Sequence, residues 1–196
     1  MSNKIKEGQL LYHLTKLSNL NSIIHNGLVC RKNLTKKNIK FLDVADLAIL
    51  NKRKSLDLDS FVPFHFHPYS SFDVAVKNSY KSEEFIYICC LRSLAKEKGF
   101  KILPKHPLSD SEYKIFDYED GIIEIDWEAM ESSSTDSVYC KNVRMAECLC
   151  YSEVPVSDFY CIYVKNIEVK NFVENELQNY NGVKPFVYKQ ECWFDL

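Results

Sequence analysis

Arg144-Met145-Ala146-Glu147-Cys148-Leu149-Cys150, followed shortly by Val154-Pro155, is the stretch whose reading decides this chain. It is an apolar run with one carboxylate set into it, which predicts a buried strand. Side chains alternate along a strand. Glu147 therefore shares a face with Leu149 and points away from Ala146, Cys148 and Cys150. Burying an ionised carboxylate is costly unless it is paired or hydrogen-bonded. A salt bridge to a nearby arginine would satisfy Glu147, an exposed strand end would spare it, and a catalytic role would explain it.

Working outward, 196 residues are enough for one domain with a real core, and we expect a single domain over residues 1–196. No apolar run approaches the ~18 residues of a membrane span. Met1-Ser2-Asn3-Lys4 leads into no apolar signal segment. None of the eight cysteines forms a Cys-x-x-Cys, so they read as reduced, mostly buried thiols, not as a disulfide framework or a zinc site. The expectation is a cytoplasmic, monomeric protein without a membrane. A net charge of −2 rules out a global basic field for nucleic acid. Locally the balance differs: bases dominate from Arg31 to Lys54, and from Asp110 to Asp136 the chain is acidic with Lys114 its lone base. A basic run of that kind contacts phosphate in some proteins and is a solvated loop in most.

Residues 9–15 read as a first strand. Ser18 is a plausible N-cap for a helix whose apolar face is Leu20, Ile23 and Ile24, with Gly27 as its stop. Residues 31–40 read as a polar loop and 41–50 as a short helix. Phe61 to Pro68 is bracketed by prolines, which predicts an edge or bent strand. Ser70 or Ser71 caps a short helix, and Phe85 to Leu91 is the clearest central strand. A helical turn from Ser93 is stopped by Gly99, and 100–103 return as a strand. Residues 104–142 form a long, acidic, weakly periodic stretch, the kind that in a compact domain is functional or disordered. Strands follow over 160–164 and 183–194. Many short strands with few short helices predict an α+β domain with mixed or antiparallel sheets. There is no Gly-x-Gly-x-x-Gly and no Gly-Lys-Ser/Thr loop, which excludes Rossmann and P-loop sites.

Several polar residues stand out. His13 and Thr15 share a strand face among apolar neighbours, where they are either a satisfied core pair or an edge for an amide ligand. His65 and His67 also share a face, but no further ligand has metal-site spacing, so we expect no metal. Arg53 is the one guanidinium in a lysine-rich stretch, suited to bidentate phosphate or carboxylate contact. A solvated surface arginine is its ordinary alternative.

The order Tyr12-His13-Leu14-Thr15, Ser18-Asn19-Leu20, Ile23, Gly27-Leu28, Arg31, then Val62-Pro63-Phe64-His65-Phe66, Phe85-Ile86-Tyr87, Asp126-Trp127 and Arg144-x-Ala146-Glu147-x-Leu149 resembles the DarT family of DNA ADP-ribosyltransferase toxins. The likeness spans nearly the whole chain. It implies an ADP-ribosyltransferase-like core, two small mixed or antiparallel sheets with short helices around an NAD cleft. NAD would be the co-substrate, contacted by His13, Leu14, Thr15, Ser22, Cys30, Arg53 and Phe72. Glu147 and Arg53 would be catalytic. The loop from about His106 to Glu147 would read the substrate, with His106 and Arg144 in contact with it. The implied target is a guanine or thymine of single-stranded DNA, and the implied partner is a macrodomain antitoxin of the DarG type.

One stretch departs from the pattern. The thymine-modifying branch reads Pro-Arg-Ser-Pro-Met-Leu-Tyr where this chain has Pro68-Tyr69-Ser70-Ser71-Phe72-Asp73-Val74. The missing Arg and Tyr lean the target toward guanine. The competing readings are a transferase acting on RNA or protein, an NAD-dependent RNA phosphotransferase, a catalytically silent NAD- or nucleic-acid-binding module, and a plain structural domain.

Overall fold

A computed structural model describes residues 4–45, 47–106, 113–132 and 137–195. The strands are β1 (Leu10–Lys16), β2 (Leu28–Val29), β3 (Phe61–His65), β4 (Phe85–Leu91), β5 (Lys101–Leu103), β6 (Phe116–Asp117), β7 (Glu147–Tyr151), β8 (Glu153–Val154), β9 (Cys161–Val164) and β10 (Phe186–Lys189). The helices are α1 (Leu20–Asn26), α2 (Arg31–Lys36), α3 (Leu47–Ser55), α4 (Ser71–Ser79), α5 (Arg92–Glu97), α6 (Tyr118–Glu124), α7 (Trp127–Glu131), α8 (Val138–Arg144) and α9 (Ile167–Leu177).

Among the described residues there are two sheets, of unequal size. One runs β10-β9-β4-β1-β3-β7-β5-β6, and the other is the ribbon β2-β8. Pairing is antiparallel except between β9 and β10. The large sheet is really two halves. β1 lies along β4 over its full length, and β3 lies along β7 from Phe61 to His65. Between the halves, β1 and β3 meet at Tyr12 opposite His65. Beyond that point the strands part, and the gap is where the site lies.

Burial explains why these segments became strands. Every residue of Phe85–Cys90 is buried, as a doubly covered central strand requires. Along β7, Cys148 and Cys150 pack into the main core and Leu149 into a separate cluster with Leu58 and Leu103. That is the alternation expected for Glu147 and Leu149. Gly27 ends α1 at φ +74°, and a Cβ there would lie 2.4 Å from the Val154 carbonyl oxygen. Only glycine admits the β2-β8 ribbon at that distance.

Several local expectations are corrected. The strand carrying Glu147 is shorter than the apolar run: 138–144 are helical, and β7 begins at Glu147 itself. Ser18 lies in a 3-10 turn and caps nothing; Asn19 precedes α1. Residues 31–36 are helical, and the next helix starts at Leu47, six residues after Phe41. The proline-bracketed strand is interior, not an edge, because Pro63 stands where β3 turns away from β1. The last strand occupies only Phe186–Lys189 of the predicted 183–194. The acidic stretch after residue 104 carries β6 and three short helices, with 107–112 and 133–136 outside the described residues. Asp126 and Ser137 cap α7 and α8. Trp127 donates its indole N–H to the Ile122 carbonyl and stacks edge-on against Phe66 at 5.6 Å. That indole ties the stretch to the core.

Candidate active site

Glu147, the first residue of β7, faces the gap between the two half-sheets. Arg53, in the last turn of α3, reaches it from the other side. Nη1 donates to Oε1 at 2.7 Å and Nη2 to Oε2 at 3.0 Å, a bidentate pair with both side chains buried. Its neighbours Lys52 and Lys54 are exposed, so of three adjacent cations only the guanidinium is turned inward. Burial alone pushes the Glu147 carboxyl up; the Arg53 charge and its two hydrogen bonds reverse this and hold it below the usual carboxylate range. Glu147 is thus an anion, and Arg53 an even firmer cation than an ordinary arginine. The Arg53 Nε–H, also buried, has no acceptor.

The pair lines a cavity of about 330 Å³, within the usual range for ligand pockets. His13, Leu14, Arg31, Val44, His65, Phe72, Asp73, His106 and Met145 share the lining. His13 Nδ1 donates to the Pro63 carbonyl at 2.8 Å, across the point where β3 leaves β1. Burial pushes its pKa down to about 4, so the ring is neutral and Nε2 is an acceptor. Phe72, on α4, sets its ring 6.2 Å from that of His65. His106 is held by its backbone N–H on the Asn142 carbonyl, and burial lowers its pKa as well.

A second, smaller cavity adjoins the first and shares His13, Arg31 and Pro63 with it. Ser22 and Cys30 line this one, together with Gly27 and Phe41. The residues expected to hold a dinucleotide are thus distributed over two connected hollows. Two expected site residues line neither. Thr15 is fully buried and accepts a hydrogen bond from Asn19 Nδ2 at 3.2 Å. Arg144 ends α8 and directs Nη1 to the Ser132 carbonyl at 3.4 Å.

Sequence reading missed three participants. Arg31 joins the two cavities and forms a bidentate pair with Asp43, at 2.6 and 2.9 Å. Asn19, buried, exchanges two hydrogen bonds with the backbone of Leu42, at 2.9 and 3.0 Å. Together they fix the irregular segment 41–45 over the cleft. Asp73 is the third. For Arg31 and Asn19 the signal existed, since both lie inside motifs already singled out; what was lacking was their partner. His65 and His67 turn to backbone carbonyls of Ala146, Pro68 and Arg144, not to each other.

A sequence model described as "ssDNA thymidine ADP-ribosyltransferase, DarT" matches residues 12–195. The chain belongs to the DarT family. No curated protein matches it by sequence. Among solved structures, it resembles Thermus sp. 2.9 DarT in complex with ADP-ribosylated ssDNA at 21% identity and TM-score 0.82, over 100% of both chains. The same Thermus protein in complex with NAD+ matches at 19% identity and TM-score 0.77, over 96% of this chain and 98% of that one. Thermosipho africanus DarTG in complex with ADP-ribose matches at 22% and 0.76, over 95% of this chain and 51% of that one. The ADP-ribosyltransferase-like fold expected from the sequence is therefore the one observed. The family description names thymidine, against the lean toward guanine drawn from residues 68–74.

Proposed function

We propose that the chain transfers ADP-ribose from NAD to thymine in single-stranded DNA, releasing nicotinamide, with Glu147 and Arg53 at the catalytic centre. The observation that carries this reading is the buried Arg53–Glu147 pair set into a cavity beside neutral His13 and His106. Cleaving the bond between nicotinamide and ribose leaves positive charge on the sugar. A fixed carboxylate stabilises that charge as it develops, and does so most strongly away from water. Glu147 is held ionised for this purpose, and its remaining lone pairs accept the ribose hydroxyl. Arg53 orients Glu147 and keeps one N–H in hand for the donor's phosphates or the target base. Since a guanidinium is not a base at neutral pH, His106 is the better acceptor for the proton leaving the attacking nitrogen. His13, Leu14 and Phe72 contact the nicotinamide, with Ser22 and Cys30 in the adjoining hollow for the rest of the dinucleotide. Thr15 acts through Asn19. Extruded bases favour single strands and aromatic stacking.

The same reading makes the chain a toxin working as a monomer and a single domain in the cytoplasm, countered by a macrodomain antitoxin of DarG type. No helix among the described residues is long and apolar enough to cross a membrane. His106 and Arg144 flank the stretch proposed to read DNA. The test is incubation with NAD and a mixed single-stranded oligonucleotide. An adduct heavier by one ADP-ribose on thymine is expected, abolished by Glu147→Gln. An adduct on guanine overturns the base assignment, and NAD consumption without a DNA adduct overturns the target class.

A further inference from the structure

His65 and His67 stand out in the sequence and have no part in the proposed chemistry. Among the described residues, no group of three or more His, Cys, Asp or Glu side chains could hold a metal ion. Both rings meet the corner between α8 and β7 instead. His65 Nδ1 donates to the Ala146 carbonyl at 3.2 Å. A carbonyl only accepts, so Nδ1 carries a proton. His67 reaches the Arg144 carbonyl through Nε2 at 3.1 Å and the Pro68 carbonyl through Nδ1 at 2.9 Å. Burial lowers the His67 pKa, and a neutral ring has one N–H to divide between two acceptors. His65 is therefore the firmer tie.

We propose that His65 is a positioning residue for Glu147: its Nδ1–H fixes the peptide plane through which the chain enters β7. The proposal rests on the reading of Glu147 as the catalytic carboxylate. The Ala146 carbonyl and the Glu147 N–H belong to one rigid peptide unit. The N–H groups of the corner turn back into α8: Met145 donates to the Asn142 carbonyl at 3.2 Å and Ala146 to the Val143 carbonyl at 2.9 Å. Among the described residues, the Ala146 carbonyl accepts from the His65 ring and from no backbone N–H. Without that bond the plane can rotate, and with it the direction in which the Glu147 side chain leaves the backbone. His65 also stands directly opposite Glu147 in the register of β3 and β7. Backbone and side chain of one residue thus hold the same neighbour. Direction matters because Glu147 must meet Nη1 and Nη2 of Arg53 together, at 2.7 and 3.0 Å. A shift of ~1 Å at a reacting group costs on the order of 10² in rate. His65 is also part of the cavity lining, so a direct contact from Nε2 to substrate is the rival that the test separates.

Nitrogen NMR of the natural protein, labelled in its histidines, should show His65 protonated at Nδ1. A proton on Nε2 with Nδ1 bare overturns the proposal without any variant. Two variants then separate positioning from direct contact. Asparagine places an amide N–H where Nδ1 stands, and glutamine places one where Nε2 stands. In a single turnover, His65→Asn should transfer ADP-ribose to DNA within about 3-fold of the natural rate. His65→Gln should be about 100-fold slower, with the dissociation constant for ADP-ribose unchanged in both. Amide hydrogen exchange across Met145–Cys148 should quicken in His65→Gln and not in His65→Asn. The reverse order of rates gives His65 a direct contact through Nε2, and equal rates well below the melting temperatures leave it a merely structural part; either result overturns the proposal. If the natural protein transfers nothing to DNA, the reading of the catalytic centre falls, and the site of the proton with the exchange pattern still decides whether His65 holds the corner.

Discussion

Two arginine–carboxylate pairs stand in the same cleft with nearly the same bidentate geometry, and they do opposite things. Arg53–Glu147 joins residues 94 apart, with side chains 8% and 6% exposed. Arg31–Asp43 joins residues 12 apart, with side chains 25% and 23% exposed. The first pair holds a charge ready in a dry place. The second closes a short loop at the solvent margin, beside the Asn19–Leu42 hydrogen bonds. Geometry alone does not separate the pair proposed as catalytic from a fastening; burial and the distance bridged along the chain do.

The comparison breaks first at the buried pair. Glu147→Gln keeps the shape and the acceptor oxygen but removes the charge, so transfer to DNA should fall by about 10³-fold with binding of ADP-ribose retained. Arg53→Ala leaves the Glu147 carboxyl buried without its partner. Loss of one partner of a buried pair costs ~3–5 kcal/mol, which at this chain length lowers the melting temperature by roughly ten degrees. If Arg53→Ala melts within a degree of the natural protein, the pair is not the desolvated unit described here.

Acid sharpens the contrast in another way. Both paired carboxyls are held below their usual values, so their stabilisation is complete above the unfolded-state carboxyl pKa and is lost only as pH falls through the lower folded values. Neither pair gives a slope between pH 7 and about 5. His13 does. Its folded pKa is pushed down to about 4, so between about 6.5 and 4 the unfolded chain binds a proton that the folded chain refuses. Stability should therefore decline as pH falls through that window, by about 1.4 kcal/mol per pH unit for this residue. Denaturant melts of the natural protein and of His13→Gln at pH 7, 6 and 5 measure it. The variant should lose one proton's worth of slope, and Glu147→Gln should lose none.

The same contrast marks how far the sequence could be read. Strands whose burial is continuous, Phe85–Cys90 above all, were legible because hydrophobicity and β-branching state the same thing. Glu147 was legible as an anomaly, a charge where none should survive unpaired, and Arg53 as the lone guanidinium among lysines. That they meet was not written in either neighbourhood, since a pairing over 94 residues is a property of the fold. The helices of 118–144 escaped for a different reason. They run five to seven residues each, too short for a 3.6-residue period to emerge, and hydrophobic anchors such as Trp127 and Met130 are diluted by acids. Asp73 was hidden because its cap role at the start of α4 explains it completely.

The smallest expected effect is at the solvent-margin pair. Burial pushes the Asp43 carboxyl up, and Arg31 brings it below its usual value, but a pair this exposed is screened and contributes at most ~1 kcal/mol. Arg31→Ala should thus shift the melting temperature by no more than about 3 °C. Its consequence should lie in donor binding, because Arg31 is common to both hollows and Asp43 Oδ1 also accepts the Ala45 N–H at 3.0 Å. The KM for NAD should rise several-fold while kcat holds, since the loop must then be ordered by the dinucleotide itself. Asp43→Asn should give a milder form of the same result, as its amide can still accept from Arg31. A fall in kcat with KM unchanged would place Arg31 with Arg53 in the chemistry, and the division between the two pairs would disappear.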